Sequence, residues 1–392
     1  MSTRNKIFIW IFPLGLLLAS GCNPNKTVLP DGASAQPPEP PHKITHTANE
    51  LVNEALQSLQ VSGIPEPPLN AKSTREDRTT FLLATKKCLQ ALLMLPQAET
   101  STFVPPPNLV PPNRTEEILV LSRVLAVELA DAIDRNDAKR AAAALRAAFH
   151  YADYVASESI ASALAASAIT DVLISGVKTV SSQLDASMTE HLLNTIEEVA
   201  NSPAPIESTF QNEKARLRKW KDTLAHSKQP VSVAQFLSKI KEFLSAENRL
   251  NPDTEKMLRA FAKKTSKKSE SLPPALLAQG ASLAYRRVEE TLAAALKGKP
   301  TPNLDLDPKS HLIASLYLWR LKPWLINAKD LDAIRQENFR LLALSIRLLS
   351  MELPDSLQTF GENAISPVNG LPFEYKRLEN DFELVRPRKT KS

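Results

Sequence analysis

Nine glycines in a chain of 392 residues leave few positions where the backbone takes a positive φ at low cost. Tight β-hairpins depend on such positions, so a hairpin-rich β architecture is disfavoured and helices are favoured. The thirty prolines cut the chain into segments, and what lies between them repeats at helical spacing. Hydrophobic residues at 43% and charged residues at 23% give the balance of a globular chain, long enough for one large or two ordinary domains.

Thr47 and Glu50 form a capping box, and Ala48, Leu51, Val52, Ala55, Leu56 and Leu59 then repeat until Gly63. A second helix is predicted from about Ser73 to Leu95, with Phe81, Leu82, Cys88, Leu89, Leu92 and Leu95 on its stripe; Pro96 ends it. The prolines at 105–107, 111 and 112 then predict a long loop and a possible subdivision near 96–114. From Thr115 the pattern is denser. Ile118, Leu121, Leu125, Leu129 and Ile133 share one face, Arg135-Asn136-Asp137 turns the chain with Asp137 as N-cap, and Ala141–Tyr154 returns as an antiparallel neighbour. The segment Ser159–Lys178 holds one charge, Asp171, before Lys178, and is expected at the centre of a bundle. A membrane span is the alternative, but no uninterrupted apolar run reaches about 18 residues. Ser187 with Glu190 predicts another capping box and a helix carrying Met188, Leu192, Leu193, Ile196 and Val199.

Further helices are predicted from Pro205 to Leu224, from Ser232 to Leu244, from Asn251 to Ala262, from Pro274 to Leu296, from Pro308 to Leu321 and from Leu331 to Met351. The basic, polar run Lys263–Ser271 reads as an exposed joint, a second possible subdivision near 263–273. Turn residues cluster at 366–370, and two short strands are expected at Pro372–Arg377 and Phe382–Val385, with Phe373 and Tyr375 on one face. The predicted fold is therefore all-α: antiparallel helical hairpins over 47–352, as a bundle or an α-solenoid, with a small β-hairpin and basic tail at 353–392.

Two cations, Arg4 and Lys6, precede an apolar run from Ile7 to Ala19 that ends in Ala19-Ser20-Gly21-Cys22. A plain transmembrane anchor takes about 20 apolar residues, and this run is shorter and holds Pro13 and Gly15. The site resembles the lipobox of bacterial lipoproteins. That resemblance implies that residues 1–21 are a removed signal peptide and that Cys22 is the lipid attachment site, bearing fatty acyl chains such as palmitate and starting the mature chain. Asn23 in place of an aspartate resembles the sorting signal of outer-membrane lipoproteins, which implies the periplasmic face of a bacterial cell envelope. Residues 22–46, with six prolines and no apolar periodicity, are expected to be a tether reaching up to roughly 75 Å if extended. Of the two cysteines only Cys88 then remains, on the apolar side of a helical pattern, as a small buried hydrophobe. The net charge of +5 falls by two when Arg4 and Lys6 leave, too weak a basic balance for a nucleic-acid partner.

Asp137–Asn201 followed by Phe210-Gln211-Asn212-Glu213-Lys214-Ala215 resembles helical repeats of uncharacterised bacterial envelope proteins. Glu337–Val385 is similar to their C-terminal unit: an Arg- and Leu-rich helix, the break Leu353-Pro354-Asp355-Ser356-Leu357, a proline- and glycine-bearing turn and a Phe-x-Tyr strand. The same stretch resembles the tail of type II secretion pseudopilins, although Ser366 stands where both patterns have an aspartate. A proline-rich segment also replaces the membrane helix that follows a pseudopilin processing site. The resemblance carries no established activity.

Chemistry-bearing motifs are scarce. The six histidines are scattered, with no His-Glu-x-x-His or Cys-x-x-Cys spacing, no phosphate-binding glycine loop and no Gly-x-Ser-x-Gly elbow, so neither a metal nor another cofactor is expected. His150 with Asp153, and His191 with Glu190 and Glu198, have helical spacing and read first as ordinary surface or boundary side chains. Glu213 with Arg216 and Arg218 is the most distinctive set, read as a structural ion pair or an interaction site. Tyr317, Trp319 and Trp324 read as core packing. The function expected is a membrane-anchored, non-enzymatic interaction or scaffold module with an envelope protein partner. A secretion- or assembly-associated component and an enzyme with a dispersed site are the alternatives.

Overall fold

A computed structural model describes residues 46–387 apart from 63–65, 71, 101, 104–114, 227–229, 242–251, 266–270, 300–301, 326 and 380. The signal, Cys22 and nearly all of the expected tether lie outside the described residues. Within them the fold is all-α with a small C-terminal β-hairpin, as the glycine scarcity and the capped periodic segments predict.

The helices are α1 (Ala48–Ser62), α2 (Arg75–Ala84), α3 (Lys86–Leu93), α4 (Thr115–Asp134), α5 (Ala138–Glu158), α6 (Ile160–Ala165), α7 (Ser167–Lys178) and α8 (Ala186–Ala200). There follow α9 (Ile206–His226), α10 (Val233–Lys241), α11 (Pro252–Thr265), α12 (Pro274–Leu296), α13 (Pro308–Leu325) and α14 (Leu331–Leu349). Strands β1 (Val231–Ser232) and β2 (Ser271–Leu272) form one short antiparallel pair; β3 (Glu374–Arg377) and β4 (Phe382–Val385) form the hairpin, with Tyr375 opposite Leu384.

Local chemistry sets these boundaries. At α1, the Thr47 N–H donates to Glu50 at 2.8 Å while the Glu50 N–H donates to the Thr47 hydroxyl at 3.3 Å. The α4–α5 turn is a Schellman motif: Asn136 takes the left-handed conformation (φ 53°), its N–H reaches Ile133 O, and the Asp137 N–H reaches Ala132 O. Asp137 then caps α5 by accepting from the Arg140 N–H at 3.1 Å. The segment expected to be one helix over Ser73–Leu95 divides at Thr85, and that over Ser159–Lys178 divides at Ala166. The expected capping box at Ser187 and Glu190 is corrected. The 3₁₀ turn at Ser181–Gln183 delivers Asp185 in extended geometry, its carboxylate accepts from the Met188 N–H at 2.7 Å, and Ser187 falls inside the first turn.

Three apolar clusters result. The first joins α1–α5, α7 and α8 to Phe339, Leu342 and Ile346 of α14. The second takes Ile160 and Ala163 of α6 with residues of α9–α13, and includes Leu331. The third packs Leu341, Leu344 and Leu348 of α14 under Phe373 and Phe382 of the hairpin region. Positions 339, 342, 346 and 341, 344, 348 are each spaced i, i+3, i+7, so one helix presents two apolar faces to two clusters. In a solenoid each repeat touches only its neighbours; α14 instead returns to pack on α7 and α8, so the first cluster is a closed bundle.

Ile160–Lys178 is long and apolar enough by mean hydropathy (1.8) to cross a membrane, because its serines, Thr170, Asp171 and Gly176 interrupt the apolar run while the many alanines and branched aliphatic residues keep the average high. Here it packs against α4 and α14, with Ile169, Leu173 and Val177 buried. The α4–α7 contact is close: a Cβ at Gly176 would sit 2.8 Å from the Ala126 carbonyl oxygen. Alanine favours a helix over glycine by about 1 kcal/mol, yet Gly176→Ala is expected to lose about 1–3 kcal/mol because two backbones must part. Urea unfolding checks this; unchanged or raised stability contradicts it.

Candidate functional site

The hexapeptide Phe210–Ala215 meets the place where α5 breaks into α6. A break leaves backbone carbonyls and N–H groups without helical partners, and inside a protein these require side-chain substitutes. Helix α9 supplies them from one face. The Thr209 hydroxyl donates to Ala156 O at 2.8 Å, and the Asn212 amide donates to Ser157 O and Phe103 O, both at 2.8 Å. The Ile160 N–H donates to Glu213 at 3.3 Å, and Glu213, almost fully buried, is paired with Arg216. Of the three residues singled out from the sequence, Glu213 and Arg216 are thus brought together, whereas Arg218 is exposed beside Tyr285 of α12. Phe210 and Leu217 are buried in the second cluster next to this polar set.

Two further joints were not marked by any motif. Arg140 donates to both carboxylate oxygens of Glu128 (2.9 and 2.8 Å) and to Asp131 at 3.1 Å, and Arg135 also holds Asp131. Both acids are buried, and the hydrogen bonds to Glu128, joined by the charges of both acids and the bond to Asp131, hold the Arg140 guanidinium above its ordinary value. Beside them Arg75 and Arg78 converge on Asp134, whose carboxyl they hold below its ordinary value, tying α2 to the α4–α5 turn. The second joint centres on Arg335 of α14. Its guanidinium engages both oxygens of Asp153 at 2.8 and 3.0 Å, donates to Val199 O and Ser202 O at the end of α8, and stacks 4.8 Å from the Phe339 ring. Asp153 is therefore spent on Arg335, three helices being joined at one fork.

His150 lies in this neighbourhood. Burial pushes its imidazolium down; the Asp153 carboxylate opposes this and Arg335 adds to it. With the folded pKa below the unfolded one, the unfolded chain binds more protons as pH falls through the histidine range. Stability is then full above the usual histidine value and declines as pH drops from there toward the folded midpoint. NMR titration should place the His150 midpoint below the usual histidine value, and His150→Gln should flatten that part of the stability profile; a midpoint at or above the usual value contradicts the assignment.

The C-terminal hairpin is latched similarly. The Ser366 hydroxyl donates to buried Glu337 and accepts the Val368 N–H at 3.2 Å, so serine itself caps the turn where the pseudopilin pattern has aspartate. Arg386 reaches Asp171 and Asn338, each at 2.9 Å, and Lys178 donates to Asp381 and to Phe382 O while lying over the Phe382 ring.

Behind these joints α5 and α8 enclose an open groove of about 600 Å³, lined by Asn136, Lys139 and Arg146 on one side and His191, Asn194 and Glu198 on the other. Its floor is wide because Ala138 and Ala142 are small. Arg146 donates to Glu198 at 2.6 Å across it. His191 and Glu198 thus share the groove with Arg146, but Glu198 is drawn to the arginine, which lowers its pKa.

Tyr317 is buried edge-on against Phe236, 5.5 Å between ring centres, and Trp319 packs on the same cluster, while the side chain of Trp324 lies outside the description. Cys88 is fully buried, which pushes its thiol up to about 12. Among the described residues no group of three or more His, Cys, Asp or Glu is placed to hold a metal ion. No protein-family model, curated protein or solved structure matches the chain.

Proposed function

We propose that the chain is a lipid-anchored protein of the bacterial cell envelope, of the helical envelope type it resembles, that works by binding a protein partner and not by catalysis. What supports this is the use made of charge. The ion pairs of Glu128 and Asp153 join helices, that of Glu337 ties α14 to the segment after β4, and Glu213 links α9 to the start of α6 through the Ile160 N–H, while the mixed-charge side chains of the α5–α8 groove face outward where another surface can meet them. Rigid joints behind an open groove suit recognition, since a preorganised surface loses less entropy on binding.

Anchoring is tested at Cys22. Metabolic labelling with a palmitate analogue should tag the wild-type chain and not Cys22→Ser, which should accumulate with its signal uncleaved; labelling that persists in the variant overturns the assignment. Partner binding is tested by crosslinking in the native envelope followed by mass spectrometry. Reproducible protein partners on the α5–α8 face support the proposal. Secretion-machinery partners mapped to 353–392 favour the assembly-associated alternative, for which the latched C-terminal hairpin is the relevant surface.

A further inference from the structure

The outer face of α2 and α3 carries exposed apolar and basic side chains together. Phe81, Thr85, Cys88, Ala91, Leu92 and Leu95 turn inward, which leaves Leu83, Lys86, Lys87, Gln90 and Met94 on the outside. Leu83 is 69% exposed, the highest value among the large exposed apolar side chains, and Met94 is 41% exposed. Two aliphatic side chains with two lysines between them and no acid from 83 to 94 form an element that is apolar and basic at once. Asp77 and Glu99 bound it on either side.

The chain also enters the fold beside this face. The Glu99 N–H donates to His46 O at 3.1 Å, and the Ala48 N–H donates to Thr100 O at 3.1 Å. The backbone arriving from the N-terminal segment is thereby stitched to residues five and six positions beyond Met94, and α1, which it opens, packs along α3. A chain anchored at Cys22 would thus enter the fold next to a face that combines protruding aliphatic groups with lysines. Aliphatic side chains partition into the headgroup–acyl boundary, and lysines are attracted to anionic headgroups.

We propose that the Leu83–Met94 face docks on the anionic bilayer surface to which the chain is tethered, so that the lipid anchor and this face together fix how the body lies on the membrane. This rests on the anchoring assignment above, and the test separates the two. The full-length lipidated protein is labelled with an environment-sensitive fluorophore at Gln90→Cys, or at Glu290→Cys on the exposed side of α12 as a control. Native Cys88 is buried and stays unlabelled. Each is reconstituted into vesicles of phosphatidylethanolamine and phosphatidylglycerol carrying a doxyl-labelled lipid. The expected result is quenching of the Gln90 label but not of the Glu290 label, most of it lost in the Leu83→Glu/Met94→Glu variant and reduced in Lys86→Glu/Lys87→Glu. All four positions are exposed, so circular dichroism melts should match wild type. If the protein floats with the vesicles while both labels remain equally unquenched, docking is overturned and anchoring stands. If it neither floats nor shows quenching, both are overturned.

Discussion

Arg335→Ala is expected to destabilise the described fold by about 3–5 kcal/mol, the cost of leaving one partner of a largely buried ion pair behind. Asp153 would keep its charge with only its half-buried surroundings to solvate it, and Val199 O and Ser202 O would lose a donor at the end of α8. The contact of the guanidinium with Phe339 would go as well. Because Arg335 lies on α14 while its acceptors lie on α5 and α8 or just beyond it, the loss should weaken the closure of the first cluster by the last helix. Urea denaturation measures it. Arg335→Lys should recover part of the loss, since an ammonium retains the charge but not the planar fork that meets both Asp153 oxygens. A loss under about 1 kcal/mol, the range of exposed pairs, would mean the joint is solvated and dispensable.

The second large effect is expected at Arg140→Met, again about 3–5 kcal/mol. Glu128 and Asp131 are both almost fully buried, and Arg140 is the only group bonded to Glu128 among the described hydrogen bonds. Arg135 would still hold Asp131, so the penalty falls mainly on Glu128. A buried ion pair exchanged as a whole for apolar residues of similar size is often neutral or stabilising. Glu128→Met added to Arg140→Met should therefore regain most of the loss, and a double-mutant cycle reads the coupling directly. Additive losses would contradict the pairing.

Much of the architecture was legible because helix signals are local. The Thr47–Glu50 box, the turn at 135–137 and the Asp137 cap all act within a few residues of themselves, and each is found where the sequence places it. The alternation of Phe373 and Tyr375 likewise puts both against the third cluster. Ser187 failed as a cap for an equally physical reason: two competent residues stood within one turn, and the preceding 3₁₀ turn selected Asp185. Breaks at Thr85 and Ala166 were hidden because neither position carries a glycine or proline.

The joints were far less legible. Glu213 and Arg216 stood out by their proximity in sequence, but the groups they serve, the broken ends of α5 and α6, lie 53 residues away from Glu213. Arg335 and Asp153 are 182 residues apart, and Arg386 meets Asp171 across 215, distances over which no periodicity or spacing carries information. Nor does the sequence show that α14 closes the bundle. Its two apolar stripes signal burial on two sides but not by what.

Whether the chain works through a partner seated on the α5–α8 groove is decided by a photocrosslinking residue placed at Asn194 inside the groove and, separately, at exposed Glu290 on α12. Irradiation of living envelopes should yield a discrete protein adduct from Asn194 and none from Glu290. No adduct at either position, with the purified protein instead turning over a small molecule and that turnover abolished by His150→Ala or Glu213→Gln in variants that remain folded, would contradict partner binding at the groove.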